Sequence, residues 1–156
     1  MMSSRDYGYE KISKWCAYRE RCFSEVIEKC LKSGIDKIRA EEIANKLVAD
    51  GYVDDRRFAR MYAHARSSLK KWGKKKIEIE LKRRAINTDY IKEAIESIEH
   101  ENYRHVLYHL ATKKWDNIKA AHPYEKKNKL RMFLFQKGYS HDDISEVIRQ
   151  IENEDK

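Results

Sequence analysis

The chain has 156 residues and a formal net charge of +8, with only five glycines and one proline. This composition favours helices, and no window of eighteen apolar residues exists that would predict a membrane-spanning helix. The polar N-terminal segment has no apolar signal core, so we expect a cytoplasmic protein. Cys16, Cys22 and Cys30 lack zinc-ligand spacing and are expected as buried or half-buried thiols.

Three helices are predicted in the first third of the chain. The first runs from Tyr9 to about Arg21, and the second runs from Ser24, as its N-cap, to Lys32 before Gly34 ends it. A loop at residues 36–39 precedes the third helix, from about Ala40 to Asp50. Its predicted inward residues are Ile43, Leu47 and Val48.

The segment GYVDDRRFA, residues 51–59, predicts a short joint between two helical units. Gly51 suits the left-handed position after a helix, and Asp54 suits the N-cap of the next one. Asp55 adds negative charge at that N-terminus, and Arg57 is placed to pair with Asp54. Tyr52 and Val53 are expected to be buried. The predicted structural residues are Gly51, Asp54, Asp55, Arg57, Phe58 and Ala59.

The next helix starts at Asp54 and continues until Gly73 breaks it. Its predicted inward face contains Phe58, Met61, Tyr62, Ala65, Leu69 and Trp72, whereas Ser67 falls opposite. Helices are then predicted from Lys74 to Ala85 and from Asn87 or Thr88 to about Glu99.

The last third begins a helix near Asn102 and has a polar stretch at residues 113–122. Pro123 suits the first turn of a helix that ends at Lys137, before Gly138. Ser140 begins the last helix with an acidic capping pattern.

Apolar pairs four residues apart recur along the chain. The second helices carry Val26/Cys30, Ile77/Leu81 and Leu130/Leu134, and the third helices carry Ile43/Leu47, Ile91/Ile95 and Ile144/Ile148. A period of about fifty residues predicts tandem modules. We therefore expect an all-α protein of three tandem three-helix, helix-turn-helix-like repeats forming an elongated, curved body. The predicted repeats are residues 9–51, 52–99 and 100–153.

The positive charge is concentrated in the middle repeat. Residues 56–84 contain twelve Lys and Arg against two Glu, a net charge of +10, so the rest carries about −2. Crowded like charges predict a surface for an anionic partner. The candidate binding residues are Lys70, Lys71, Lys74, Lys75, Lys76, Ile79, Lys82, Arg83 and Arg84. Trp72 is assigned to the core rather than to base stacking.

Three segments together resemble the RecX family of regulatory proteins: GYVDDRRFA, KKWGKKKIEIELKRRAI and FLFQKGYSHDDISEVI. The similarity covers roughly Trp15 to Ile151. One departure is Ala85, where the family often has glycine. At a left-handed helix end, this change costs about 1 kcal/mol unless the helix ends differently.

The resemblance implies a non-catalytic modulator of homologous recombination and the SOS response. It implies binding of the RecA–DNA filament, with single-stranded DNA reached through the filament, and inhibition of recombinase, ATPase and strand-exchange activity. A monomer without membrane association is expected. The alternatives are a helix-turn-helix DNA-binding protein acting without RecA and a protein scaffold. No nucleophile–base pair, phosphate loop or metal motif is present, so neither an enzyme nor a cofactor is predicted.

Overall fold

The computed structural model describes residues 4–155, and side chains from Tyr7 onward. Every regular element in this range is a helix, which confirms the all-α prediction. The helices are α1 (Ser4–Tyr18), α2 (Phe23–Lys32), α3 (Lys37–Ala49), α4 (Asp55–Ser68), α5 (Lys74–Arg83), α6 (Thr88–Glu96), α7 (His100–Asn117), α8 (Pro123–Gln136) and α9 (His141–Glu154).

The ends of α2, α5 and α8 show that the chain repeats a three-helix unit. At each end, a backbone N–H donates to the carbonyl five residues earlier: Ile35 to Cys30 at 3.0 Å, Ile86 to Leu81 at 3.3 Å, and Tyr139 to Leu134 at 3.2 Å. This pattern defines a left-handed helix terminus. All three predicted apolar pairs on these helices are fully buried. The repeat register predicted from the sequence is therefore confirmed.

The helices pack into two compact units. The first contains the described residues up to Ala59 together with Leu81–Ile91, and the second contains Arg60–Glu80 together with the described residues from Lys92 onward. The middle repeat contributes to both units. The predicted repeat boundaries themselves remain a prediction.

The first unit has a dense apolar core beneath α1, α2 and α3. Ile12, Val26, Cys30, Ile43 and Leu47 are at most 1% exposed. All three cysteines are free and buried. Burial raises the thiol pKa of Cys16 and of Cys22 to about 11, and it also raises that of Cys30. These thiols therefore act as small apolar side chains.

Helix boundaries in the first repeat differ from the predictions. α1 already begins at Ser4 and ends at Tyr18. α2 begins at Phe23 with Cys22 as the N-cap, and the hydroxyl of Ser24 instead donates to the Arg84 carbonyl at 2.6 Å. α3 begins at Lys37 because Asp36 caps it, accepting the Arg39 N–H at 2.9 Å.

The predicted inward face of α4 was partly wrong. Phe58 and Tyr62 are buried, but Met61 is 53% and Leu69 77% exposed, and Ala65 is also exposed. The buried face instead includes Ala59, Ala63 and Ser67. Small residues allow close helix approach, whereas apolar character alone cannot distinguish the two neighbouring faces. α4 also ends at Ser68, before Trp72.

Other predictions of burial and of helix ends were partly wrong and partly correct. Val48 and Tyr52, both expected inside, are 46% and 43% exposed, whereas Val53 is buried. α7 extends to Asn117, into the predicted polar stretch. Pro123 occupies the first turn of α8, and Ser140 caps α9 by accepting the Asp143 N–H at 3.1 Å, both as predicted.

Candidate functional site

Residues 51–59 form a structural joint inside the first unit. Gly51 has a φ of +82°, which confirms its left-handed position. Asp54 accepts the Arg57 N–H at 3.0 Å, as expected of an N-cap. Phe58 and Ala59 are 4% and 0% exposed. The joint therefore fixes where α4 begins.

Asp55 and Arg57 connect this joint to the start of α2 and to the loop that precedes it, which the sequence did not indicate. The Asp55 carboxylate accepts the Phe23 N–H at the start of α2, at 2.8 Å. Burial raises the pKa of Asp55, although this hydrogen bond opposes the shift. The Arg57 side chain forms its ion pair with Glu20, with 2.8 Å between Nε and Oε1, and not with Asp54 as predicted. Its guanidinium also donates to the Gly51 carbonyl at 3.3 Å.

The centre of the predicted binding segment is the turn Lys70–Lys76, called here the basic turn. Its backbone crosses the end of α8 at very short range. Gly73 N–H donates to the Lys137 carbonyl at 2.7 Å, and Lys75 N–H donates to the Gly138 carbonyl at 3.1 Å. A Cβ at Gly73 would lie 2.1 Å from the Gly138 carbonyl carbon. Only glycine fits this crossing.

Two buried tyrosines hold the basic turn on either side of Gly73. Tyr103 accepts the Lys74 N–H at 2.9 Å, and Tyr139 donates to the Lys71 carbonyl at 3.0 Å. Their ring centroids lie 5.5 Å apart. Burial raises the pKa of Tyr103 to about 12 and raises that of Tyr139 further. The sequence indicated packing residues with a solvated end, but both side chains are at most 4% exposed.

The lysines of the basic turn fall into two groups. Lys70, Lys71 and Lys75 are exposed. The ammonium groups of Lys74 and Lys76 lie over aromatic rings, 4.8 Å from the centroid of Tyr103 and 4.3 Å from that of Trp72. Within residues 7–155, no carboxylate forms an ion pair with these five lysines. The turn therefore presents uncompensated positive charge on a fixed backbone.

Trp72 is half-buried rather than a core residue. Its ring meets Tyr62 edge-on at 6.4 Å, and the Arg66 guanidinium lies 5.0 Å from its centroid. With Lys76 also over this ring, Trp72 supports two cations of the second unit.

The remaining candidate residues lie further along α5. Ile79 belongs to the second unit and is 54% exposed, so it is available for contact. Lys82 and Arg83 are exposed and Arg84 is half-buried, but all three belong to the first unit. The structure thus groups Lys70 to Ile79 in one unit and not with the last three residues.

Other kinds of site have little support in the structure. Among the described side chains, no three His, Cys, Asp or Glu residues converge as metal ligands. The rings of His105 and His109 lie 4.2 Å apart without a third ligand. No helix of the described range combines the length and apolar character needed to cross a membrane.

The repeated helix ends and the clamped basic turn define a tandem three-helix-repeat protein with a basic surface. Two family models match it: "RecX, second three-helix domain" at residues 54–95 and "RecX, third three-helix domain" at residues 103–148. The chain belongs to the RecX family.

Curated relatives and solved structures agree with this assignment. The chain is 30% identical over 129 residues to "Regulatory protein RecX" of Clostridium tetani, covering 81% of this chain and 59% of the relative. The chain is 32% identical to the relative of the same name from Clostridium acetobutylicum, covering 82% of this chain and 66% of the relative. The chain therefore spans only about three fifths of the first relative and about two thirds of the second.

The fold is also similar to that of a crystal structure of RecX from Lactobacillus salivarius. The TM-score is 0.82 at 24% identity, with 95% of this chain and 96% of the other covered. A second crystal structure, of "regulatory protein RecX", has a TM-score of 0.84 at 19% identity, with 93% of this chain and 71% of the other covered. These similarities establish the fold.

Proposed function

We propose that this protein is a non-catalytic regulator that binds the RecA–DNA filament and inhibits recombinase, ATPase and strand-exchange activity. It acts as a cytoplasmic monomer, without a cofactor, and reaches single-stranded DNA through the filament. The family membership and the naming of its relatives as regulatory proteins support this proposal.

The basic turn is the observation that carries the proposal. Its lysines lie on a backbone fixed by Gly73, Gly138 and two tyrosines, so little conformational entropy is lost when the turn binds. A filament presents DNA phosphates and acidic protein groups at regular intervals, and both attract such a surface. Ile79 adds an exposed apolar contact beside this charge. Lys82, Arg83 and Arg84, which lie in the first unit, are separate candidate contacts with the filament.

Binding alone is sufficient for inhibition in this proposal. Contacts with several filament subunits combine weak interactions into a larger avidity. Occupancy then excludes partner DNA or restrains the recombinase without any reaction on this chain.

The alternative, a helix-turn-helix protein acting without RecA, finds less support in the charge distribution. The third helices of the repeats are acidic or mixed, with Glu41/Glu42, Glu93/Glu96 and Asp142/Asp143/Glu146. A helix in the major groove requires positive charge near the DNA backbone. The positive charge lies instead on α4, the basic turn and α5, which are the first two helices of the middle repeat and the turn between them.

The proposal is tested by RecA-dependent ATP hydrolysis on single-stranded DNA with rising amounts of the protein. Inhibition is expected at or below a one-to-one ratio to RecA. Substituting Lys70, Lys71 and Lys75 together by Ala removes exposed charge and no observed packing contact. At about 0.5–1 kcal/mol per charge, inhibition should weaken by at least about tenfold.

The matched control replaces Lys92, Lys113 and Lys119, three exposed lysines outside the candidate segment, by Ala. It changes net charge equally and should inhibit like the parent. No inhibition by the parent protein would contradict the regulatory proposal. Equal weakening by both triple variants would show that net charge, rather than the basic turn, determines binding.

A further inference from the structure

One face of α1 carries exposed aromatic rings alternating with lysines. At about 3.6 residues per turn, Tyr7, Lys11, Lys14, Trp15 and Tyr18 share one side of this helix. This set is called here the aromatic face. Ile12 and Cys16 lie on the opposite side and are buried, which fixes the orientation of the helix. Tyr7 is 65% and Tyr18 is 87% exposed.

The aromatic face borders an open groove of about 530 Å³, to which Lys29 of α2 also contributes. Trp15 is half-buried there, with the Arg21 guanidinium 4.0 Å and the Lys29 ammonium 5.5 Å from its ring centroid. Lys14 pairs weakly with Glu10 at 3.4 Å but remains 74% exposed. The groove thus combines flat rings with an excess of positive charge.

We propose that the aromatic face is a binding site for single-stranded nucleic acid. Bases stack on the exposed rings of Tyr7 and Tyr18, while Lys11, Lys14 and Lys29 contact the phosphates between them. The two tyrosines are eleven residues apart, or about 16 Å along the helix, a distance that a strand of a few nucleotides spans. This site is additional to the proposed basic-turn interface and does not require RecA.

The arrangement favours a single strand over a duplex and over a membrane. A duplex keeps its bases stacked internally and would leave both tyrosine rings without partners. An interfacial membrane helix needs a continuous apolar face. Here Lys11 and Lys14 separate Tyr7 from Tyr18 on the same face, and no Leu, Ile or Phe accompanies them.

The test measures fluorescence anisotropy of labelled dT15 with the full chain carrying the Ala substitutions at Lys70, Lys71 and Lys75, so that the basic turn does not mask the second site. Adding Tyr7→Ala and Tyr18→Ala should lower the affinity by about tenfold per ring without changing the salt dependence. Tyr→Phe at both positions should retain binding. Lys11→Ala with Lys14→Ala should instead reduce the slope of log K against log salt by about 1.4.

Tyr124→Ala provides the control, because this tyrosine is 73% exposed but lies on α8. Unchanged dT15 affinity in the double Ala variant would overturn the proposal. Equal loss of affinity for a 15-base-pair duplex would overturn it, because the rings would then contribute to binding without stacking on unpaired bases. Ring-dependent binding to phosphatidylcholine–phosphatidylserine vesicles, without binding to dT15, would overturn it in favour of a membrane contact.

Discussion

Ala85 has a backbone conformation that normally belongs to glycine. It ends α5 with a φ of +56°, whereas Gly34 and Gly138 occupy the equivalent positions after α2 and α8 with φ values of +85° and +100°. The chain has therefore kept the left-handed helix end despite losing the glycine. Ala85→Gly should relieve this strain and stabilise the protein.

The expected gain follows from two opposing effects. A non-glycine residue in the left-handed region costs about 1–2 kcal/mol. Glycine adds about 0.4–1 kcal/mol of conformational freedom to the unfolded chain, which opposes the gain. The Ala85 side chain is exposed, so little packing is lost. We expect a net stabilisation of about 0.5–1 kcal/mol, or about 1–4 °C in Tm.

The other two repeats provide matched controls. Gly34→Ala introduces the same strain where no atom lies within 4 Å of the new Cβ, so stability should fall by a similar amount. Gly138→Ala places its Cβ 2.5 Å from the Lys76 Cβ and 2.7 Å from the Lys76 nitrogen. This variant should lose more stability than Gly34→Ala. It should also weaken the proposed inhibition of RecA, because the basic turn must shift.

Thermal and urea unfolding followed by circular dichroism measure all three variants, and the RecA-dependent ATPase assay measures the effect on function. Lower stability of Ala85→Gly, or higher stability of Gly34→Ala, would refute the argument that strain at this position matters. Equal losses for Gly34→Ala and Gly138→Ala would refute the close approach of Gly138 to Lys76.

Two further predictions concern contacts that the sequence did not indicate. The raised pKa of Tyr103 contributes stability that is present below about pH 10 and is lost as the pH rises toward about 12. Tyr103→Phe should therefore flatten the decline in the free energy of unfolding, measured with urea, over this pH range. An unchanged decline would contradict the prediction. Arg57→Ala should lower the free energy of unfolding by about 1–3 kcal/mol, because Glu20 and the Gly51 carbonyl after α3 both lose a charged donor. The control is Arg60→Ala, at an exposed position on the same helix. Equal urea midpoints for the two variants would show that Arg57 contributes nothing specific.

Local patterns predicted the repeats because they concern contacts within a few residues of each other. Pairs such as Ile77/Leu81 share one helix face, and a residue such as Gly51 is selected by its own φ. The same logic correctly placed the Asp54 cap and the Ser140 cap. It failed on α4 because the small Ala59 and Ala63, rather than the large Met61, are buried, and because the helix ends before Leu69.

The sequence by itself determined that the chain is helical, where its repeats recur, and that positive charge concentrates at residues 56–84. Only the tertiary structure decided what holds that charge in place. Tyr139 reaches Lys71 across 68 residues, and Gly73 meets Gly138 through backbone atoms alone. Such pairs leave no periodic signal in the sequence, because the local conformation of each residue is compatible with many different tertiary neighbours. Their contact depends on how the repeats pack in three dimensions.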